Sequence, residues 1–200
     1  MKRTFAEAVL NRRTNYTLSD KSALTDKQLK ELLGLAMLNC PSPFNMQSAR
    51  TAMLLGGHHK KLWSIVVETL RGIVPAEAFA ATEKKIADSF ASGYGTILFF
   101  EDQGVIREYK KALPSYADKF PGWSLQASGM LQFAVWTMLE DSGMGASLQH
   151  YNPLIDKEIT QTWGLDPDWM LVSQMPFGIP AAPPAAQTFL PLEPRMKIFG

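Results

Sequence analysis

Two basic clusters, one near each end of the chain, contain the residue types that bind a phosphate group. Arg12, Arg13 and Thr14 close an amphipathic stretch near the start, and Arg195 and Lys197 stand near the end. Guanidinium forks, an ammonium group and a hydroxyl suit the oxygens of a phosphate monoester. Alternatively, the adjacent arginines compensate the dipole at a helix C-terminus, with their charges in water. In an extended tail, residues two apart point to the same side, so one ligand would meet both terminal cations.

A loop of small polar residues lies between the two basic clusters. It reads Pro41-Ser42-Pro43-Phe44-Asn45-Met46-Gln47. The side chains of Ser42, Asn45 and Gln47 are suited to contact a polar ligand. Taken alone, the same stretch is also typical of a turn that ends a helix, with Asn45 bonding its own backbone. Both interpretations stay open at this point.

Length and composition restrict the class of protein. A chain of 200 residues that is 46% apolar predicts one domain over 1–200 with an ordinary core. The formal net charge of +1 gives no broad electrostatic footprint for nucleic acid, whereas a small anion needs only a local cluster. The adjacent His58 and His59 have no neighbouring cysteine or carboxylate cluster, so we expect no metal site.

The expected location follows from the cysteine count and from the apolar stretches. The lone Cys40 excludes an internal disulfide, and the first residues lack the apolar core of a signal peptide. No apolar stretch approaches the roughly 20 residues that span a bilayer. We therefore expect a reducing, cytoplasmic location and no membrane segment.

The spacing of apolar residues predicts an α+β fold in which the sheet lies inside helices. Helices are predicted over 4–11, 25–39, 58–74, 76–92, 124–141 and 152–164, the last with Pro153 at its first position. Strands are predicted over 51–55, 95–100, 146–149 and 169–175. The helix over 124–141 is apolar on all sides, which indicates burial in a core or at a subunit interface.

Taken in order, these segments resemble the nitroreductase family of FMN-dependent oxidoreductases. Members of that family open with a helix that ends in Arg-Arg-Ser, and those residues hold the FMN phosphate and part of the ring. Arg12, Arg13 and Thr14 match this motif, with the hydroxyl kept, and Tyr16 replaces a residue that is often basic. The resemblance also implies that Pro41, Ser42, Pro43, Asn45 and Gln47 contact the FMN bound mainly by the other subunit.

The segment after Gly145 and the tail resemble the fatty-acid-repression-like branch of the family. Many members have Pro-x-Glu-Gly beside flavin N5, where this chain has Leu148, Gln149, His150 and Tyr151. Backbone N–H groups of this segment would still contact N5 and the ring carbonyls. In that branch the closing basic residues, here Arg195 and Lys197, return to the phosphate.

The resemblance implies a cytoplasmic, intertwined homodimer built on a mostly antiparallel sheet. The implied activity is ping-pong hydride transfer from NADH or NADPH through flavin N5 to a nitroaromatic or quinone-type small-molecule acceptor, with no catalytic side chain required. The branch also suggests a flavin-binding regulator of a fatty-acid or stress response without significant turnover. A third possibility is a small-anion-binding structural dimer.

Overall fold

The computed structural model describes residues 4–200, in which seven α-helices surround four β-strands. The helices are α1 (Phe5–Asn11), α2 (Asp26–Asn39), α3 (Gly56–Arg71), α4 (Ala76–Ile86), α5 (Gln103–Ala112), α6 (Phe120–Asp141) and α7 (Asp156–Trp163). The strands are β1 (Ala49–Leu55), β2 (Gly95–Asp102), β3 (Gly145–Ala146) and β4 (Trp169–Gly178). They form one antiparallel sheet in the order β1-β2-β4-β3, which confirms the predicted α+β class.

The first two helices begin at capping residues. Thr25 accepts a hydrogen bond from the Gln28 N–H (3.3 Å), and the Gln28 side chain accepts one from the Thr25 N–H (2.9 Å). Thr4 and Glu7 form the same reciprocal pair at the start of α1. Each pair satisfies donors that a helix start leaves free. Because α1 ends at Asn11, Arg12 is the first residue beyond the helix.

Strand β2 is buried on both faces, as its continuous apolar sequence predicts. Ile97 and Phe99 pack in a cluster with residues of α2 and α6. Leu98 and Phe100 pack in a second cluster with residues of α3 and α7. The core is therefore two layers of side chains, one on each face of the sheet.

Several helices differ from their predicted bounds, and one was not indicated by periodicity. Helix α3 runs over Gly56–Arg71, where 58–74 was predicted. The helix predicted over 76–92 ends as α4 at Ile86, and one π-helical turn, Ala87–Ala91, follows it. Helix α6 begins at Phe120, four residues before its predicted start. The apolar pattern does not predict α5, whose first turn is fixed by the Asp102 carboxylate accepting the Val105 N–H (3.1 Å).

The predictions for 146–149 and for the start of α7 were wrong in detail. Strand β3 stops at Ala146, since Ser147 faces Pro176, a residue with no N–H to donate. Gln149 rejoins the sheet through a single bridge to Gln174. The chain then turns over 152–155, so α7 begins at Asp156 and not at Pro153.

Helix α6 is covered by its own chain on one side only. Leu131, Val135 and Leu139 are buried in the core, whereas Leu125, Met130 and Phe133 remain exposed. Within residues 4–200, no helix combines the length and the apolar character that crossing a membrane requires. The exposed apolar side of α6 is therefore a candidate contact surface for another protein chain.

A buried histidine ties α3 to β2 and to the π-helical turn. His59 Nε2 lies 3.2 Å from the Ala91 carbonyl, which accepts only, so this nitrogen carries the proton. Nδ1 then accepts from the Thr96 hydroxyl (2.8 Å), which in turn accepts from Trp63 Nε1 (3.0 Å). Burial lowers the pKa of His59, so the network holds a neutral imidazole.

We expect this network to make the protein acid-sensitive. In the unfolded chain His59 is protonated near pH 6.5, whereas the native state keeps it neutral to lower pH. The contribution of neutral His59 to the unfolding free energy is therefore lost as pH falls below 6.5. Urea unfolding between pH 7.5 and 5 should show a smaller decline for His59→Gln than for the wild type. The control His150→Gln, at an exposed histidine, should behave like the wild type; equal slopes for all three proteins would contradict the assignment.

Candidate functional site

The first basic cluster lies beside the segment that follows β3. Thr14 forms a parallel bridge with Ala146, and the Asn15 N–H donates to the Ala146 carbonyl (2.9 Å). The Asn15 side chain also donates to the Arg13 carbonyl (3.0 Å), which fixes the backbone of the cluster. Two of the four segments predicted from the sequence therefore meet within one chain.

The Arg12 side chain has an unused hydrogen-bond donor. Its guanidinium carbon lies 4.6 Å from the centre of the Trp136 ring on α6, a cation–π distance. Arg12 Nε and Trp136 Nε1 are both buried, and neither has a hydrogen-bond partner within residues 4–200. Because an unsatisfied buried donor costs about 1 to 3 kcal/mol, the pair favours a ligand that supplies acceptor oxygens.

Arg13 is already engaged by the tail of its own chain. Its guanidinium donates to the Ala185 carbonyl. It also lines a cavity of about 460 Å³ with Asn15, Glu140 and the residues 180–184. The carboxyl group of Glu140 lines this cavity, so the cavity is less suited to bind an anion than the surroundings of Arg12.

The segment over 148–151 forms a free edge of the sheet with unpaired donors. The Ser147 and Gln149 N–H groups donate to β4, and the Tyr151 N–H donates to the Gln174 side chain (2.8 Å). The alternate N–H groups, those of Leu148 and His150, have no acceptor within the part of the chain that the structure describes. Successive N–H groups of an extended chain point to opposite sides, so both unpaired donors leave the same edge.

Gln174 holds this edge in place. Its side chain is fully buried, and besides accepting from Tyr151 it donates to the Asn152 side chain (3.3 Å). Tyr151 packs edge-on against Trp63 and Phe90, with ring centres 6.0 and 6.3 Å apart. Burial raises the pKa of Tyr151, so the phenol stays protonated. The His150 side chain is exposed, and Leu148 is half-buried.

Tyr16 lies close to the same aromatic group. Its exposed ring is 6.4 Å from Phe90, which also contacts Tyr151. Thr14 and Tyr16 therefore lie near the segment that follows β3, Thr14 through its bridge to Ala146 and Tyr16 through Phe90. Arg12 precedes them in the chain and stacks on α6.

The 41–47 loop lies at the opposite end of the sheet. It precedes Ala49, which pairs with Glu101, whereas β3 pairs with the end of β4 that faces Gly95. Glu101 and Gly95, the β2 residues that mark these two ends of the sheet, are six residues apart, which corresponds to roughly 20 Å along a strand. Within one chain, the loop is therefore too distant to share a small ligand with Arg12.

The backbone of this loop is strained. Phe44, Asn45 and Gln47 have φ values of 52°, 54° and 49°, in the left-handed region that side chains disfavour. Each such residue costs on the order of 1 kcal/mol, with Asn tolerated best. The Ser42 hydroxyl closes the loop by accepting the Gln47 N–H (2.9 Å). A conformation with this cost persists only where surrounding contacts fix it.

Aromatic packing supplies part of that fixation. The Phe44 ring lies 5.6 to 6.2 Å from the rings of Tyr116, Phe120 and Trp123, and Met46 is buried beneath the loop. Asn45 and Gln47 are exposed. The Asn45 amide group bonds no residue in 4–200, so the alternative in which it serves its own backbone does not hold.

The C-terminal pair is not in contact with Arg12. Arg195 Nη1 lies 3.4 Å from the Leu190 carbonyl, and both Arg195 and Lys197 are exposed. The Arg195 N–H donates to the Leu192 carbonyl (2.8 Å) and closes a turn. The tail is therefore not extended at Arg195, and the prediction that Arg195 and Lys197 point to the same side of an extended chain was wrong. Pro41, Ser42 and Pro43 likewise touch none of the residues at the β3 edge in the contacts of residues 4–200.

Sequence reasoning missed two residues that shape the site. The sequence gives no sign that Trp136 stacks on Arg12, because this contact depends on how α1 and α6 pack. Gln174 reads as one polar residue within a strand. Its burial opposite Gln149 gives it a role that no local pattern indicates.

The structure is an α+β domain with a candidate ligand site beside the end of its first helix. The chain belongs to the nitroreductase family, whose model matches residues 9–179. It is therefore an oxidoreductase. The more specific likeness to the fatty-acid-repression-like branch stays a prediction.

Individual relatives cover nearly the whole chain. The chain is 30% identical to nitroreductase FRM2 of Saccharomyces cerevisiae over 188 residues, 93% of each protein. Nitroreductase CinD from Lactococcus lactis, solved with nicotinic acid and with 4-nitrophenol, superposes with TM-scores of 0.91 and 0.89 at 38% identity, covering 98% of this chain and 100% of CinD. A putative nitroreductase from Desulfovibrio desulfuricans in complex with FMN, 17% identical with a TM-score of 0.69 and full coverage of both chains, shares the fold.

Proposed function

We propose that this chain is an FMN-dependent NAD(P)H oxidoreductase that reduces nitroaromatic or quinone-type acceptors by a ping-pong mechanism. The observation that supports it best is the set of unpaired donors at the β3 edge: Arg12 Nε, Trp136 Nε1 and the N–H groups of Leu148 and His150. The FMN of the Desulfovibrio protein and the 4-nitrophenol bound to CinD are consistent with this cofactor and acceptor class.

The residues at the β3 edge fit the chemistry of FMN. The phosphate needs cations and a hydroxyl, which Arg12 and Thr14 offer, and Lys197 and Arg195 would add charge where the tail is brought near. The isoalloxazine ring carries carbonyls and a nitrogen that accept hydrogen bonds, and the N–H groups of Leu148 and His150 are donors of the right kind. Bound FMN supplies the hydride chemistry itself, accepting hydride at N5 and passing it to the acceptor.

The protein's own contribution is placement and electrostatics. Gln174 fixes the edge that would hold the ring, and Arg12 is held by its stack on Trp136. Donors aimed at the ring favour its negatively charged reduced form. Arg13, which is bound to the Ala185 carbonyl, would stabilise the site mainly by holding the C-terminal segment. No side chain is required to transfer a proton in this scheme.

The separation of the candidate residues supports an intertwined homodimer. Since the 41–47 loop and the β3 edge lie at opposite ends of the sheet, separated by roughly 20 Å along β2, a second copy of the chain would supply such a loop to the site. The exposed apolar side of α6 offers a contact surface for that copy. The tail offers another, with Phe189, Leu190, Leu192, Met196, Ile198 and Phe199 exposed. The whole chain, 1–200, would then act as one cytoplasmic FMN-binding domain.

The dimer is tested by mass. Light scattering should give the wild type twice the 22.2 kDa of one chain. Phe133→Glu, which places a charge on the exposed side of α6, should shift the mass toward that of a monomer. Ile73→Glu, at another exposed apolar residue, which follows α3, should leave the dimer intact. A monomeric wild type at micromolar concentration would contradict the proposal.

The activity is tested by spectroscopy. The purified protein, or the protein loaded with FMN, should show a flavin absorption band that NADH or NADPH bleaches and a nitroaromatic compound restores. A stable flavin band without turnover would instead support the regulatory alternative. A protein that cannot be loaded with FMN would contradict both functions and leave the small-anion-binding dimer.

The phosphate site is tested by mutation. Arg12→Ala with Lys197→Ala should raise the Kd for FMN on the order of 100-fold or more, because each charge-assisted hydrogen bond contributes about 1.5 to 3 kcal/mol. A matched control is Arg71→Ala with Lys84→Ala, since Arg71 also stacks on an aromatic ring, that of Phe79 at 4.4 Å. Fluorescence quenching of FMN measures the affinity, and thermal unfolding measures stability. Equal Kd values for the two double variants would refute the assignment.

A further inference from the structure

A buried carboxyl group lies directly beneath the 41–47 loop. Glu101 on β2 is fully buried, and the Ser48 hydroxyl, also buried, donates to its Oε2 (2.5 Å). Its other oxygen, Oε1, is buried with no hydrogen-bond donor in residues 4–200. Glu101 is the one acidic residue that is fully buried in the described part of the chain. None of the chemistry proposed above uses it.

Glu101 is one of two anchors at the base of the loop. Ser48 follows Gln47 directly, so the Ser48–Glu101 hydrogen bond fixes the first residue after the strained turn. On the outer side, Arg50 donates to the Gln47 carbonyl (2.8 Å) and to Asp102 (2.9 Å). Three left-handed residues in the loop require such external fixation, because their own backbone preferences oppose the conformation.

The surroundings of Glu101 favour its neutral form. Burial raises the pKa of Glu101 to about 7, while the Ser48 hydrogen bond and the Arg50 charge act against this rise and the Asp102 charge adds to it. Helix α6, which packs on β2, has no charged residue between Phe120 and Glu140. Among the charged groups of α5, Arg107 pairs with Asp168 and Lys111 with Glu108, and Lys110 is half-buried.

We propose that Glu101 is a positioning residue which, through Ser48, holds the 41–47 loop in its strained conformation and thereby sets how tightly the partner subunit binds its flavin. Asn45 and Gln47 are exposed at the tip, while Met46 and Ser48 are buried, so the buried anchors determine where the exposed side chains point. The inference about loop rigidity needs only contacts within one chain, whereas the inference about flavin affinity rests on the proposed function.

The loop is tested first without cofactor. Ser48→Ala removes the donor to Glu101 and should raise hydrogen–deuterium exchange at the loop amides of Asn45, Met46 and Gln47 about five-fold or more. The matched control is Ser173→Ala, which removes another buried serine hydrogen bond, to Gln132 (2.9 Å), away from the loop. Equal loop exchange in the two variants would overturn the proposal, whether or not the protein binds FMN.

Flavin affinity is tested next, in the FMN-loaded dimer. Ser48→Ala should weaken FMN binding about ten-fold, the effect of losing one hydrogen bond of ordinary strength, and Ser173→Ala should leave it within about two-fold. Glu101→Gln keeps an acceptor for Ser48 and should retain wild-type affinity at pH 6. If Ser48→Ala loosens the loop but leaves the Kd unchanged, positioning of the flavin is refuted. A wild type without FMN affinity refutes the proposed function instead.

A pH profile separates positioning from general stability. Ionised Glu101 has no donor at Oε1, so water must enter the base of the loop above pH 7. The FMN Kd of the wild type should therefore rise between pH 6 and 8.5 about three-fold more than that of Glu101→Gln. The second ionisation of the FMN phosphate affects both proteins equally. Because the native state binds this proton more tightly than the unfolded chain, the contribution of Glu101 to stability should decline as pH rises from about 4.5 through 7, measured as the difference between the wild type and Glu101→Gln. Parallel Kd profiles would overturn the role of Glu101.

Discussion

The antiparallel pairing of β2 with β1 and β4 determines where every candidate residue lies. It places Ala49 opposite Glu101 and, six residues away, Gly95 opposite Phe177, to which β3 is joined. The 41–47 loop and the Arg12 cluster therefore occupy opposite ends of one sheet. This register cannot slip by a residue, because a slip would turn the apolar side chains of β2 into the wrong layer. A site that needs both segments must draw them from two chains.

The chemistry at the β3 edge arises from incomplete pairing of the backbone. Pro176 interrupts the ladder opposite Ser147, and Gln174 holds the next residues with its side chain, which leaves alternate N–H groups open. Backbone donors of this kind do not depend on the side chains that follow β3. The segment around His150 can therefore contact a flavin although it lacks the Pro-x-Glu-Gly sequence of many relatives.

The sequence predicted those helices and strands that are determined by local patterns of residues. The spacing of apolar residues located α1 and α2, and the apolar stretch over 95–100 identified β2 as a central strand. The predictions were wrong where tertiary contacts determine the structure. Helix α5 starts at a cap provided by Asp102, α7 begins only after the turn that Gln174 holds, and Arg195 closes a turn. Among the site residues, Thr14 lies beside β3 through a bridge to Ala146 that the sequence does not specify. The roles of Trp136 and Gln174 depend on packing between elements distant in sequence.

Strain in the 41–47 loop is consistent with its action on another chain. A loop that meets a ligand of its own subunit can be ordered by that ligand, whereas one that meets a ligand held elsewhere must be ordered beforehand, or the ordering cost lowers the affinity. The backbone of the loop does not hold this conformation by itself, because Phe44, Asn45 and Gln47 all have unfavourable positive φ values. The fixation comes instead from groups that the fold already buries, Met46 below and Glu101 through Ser48. In the proposed dimer, folding of one subunit would thus prepare the cofactor site of the other.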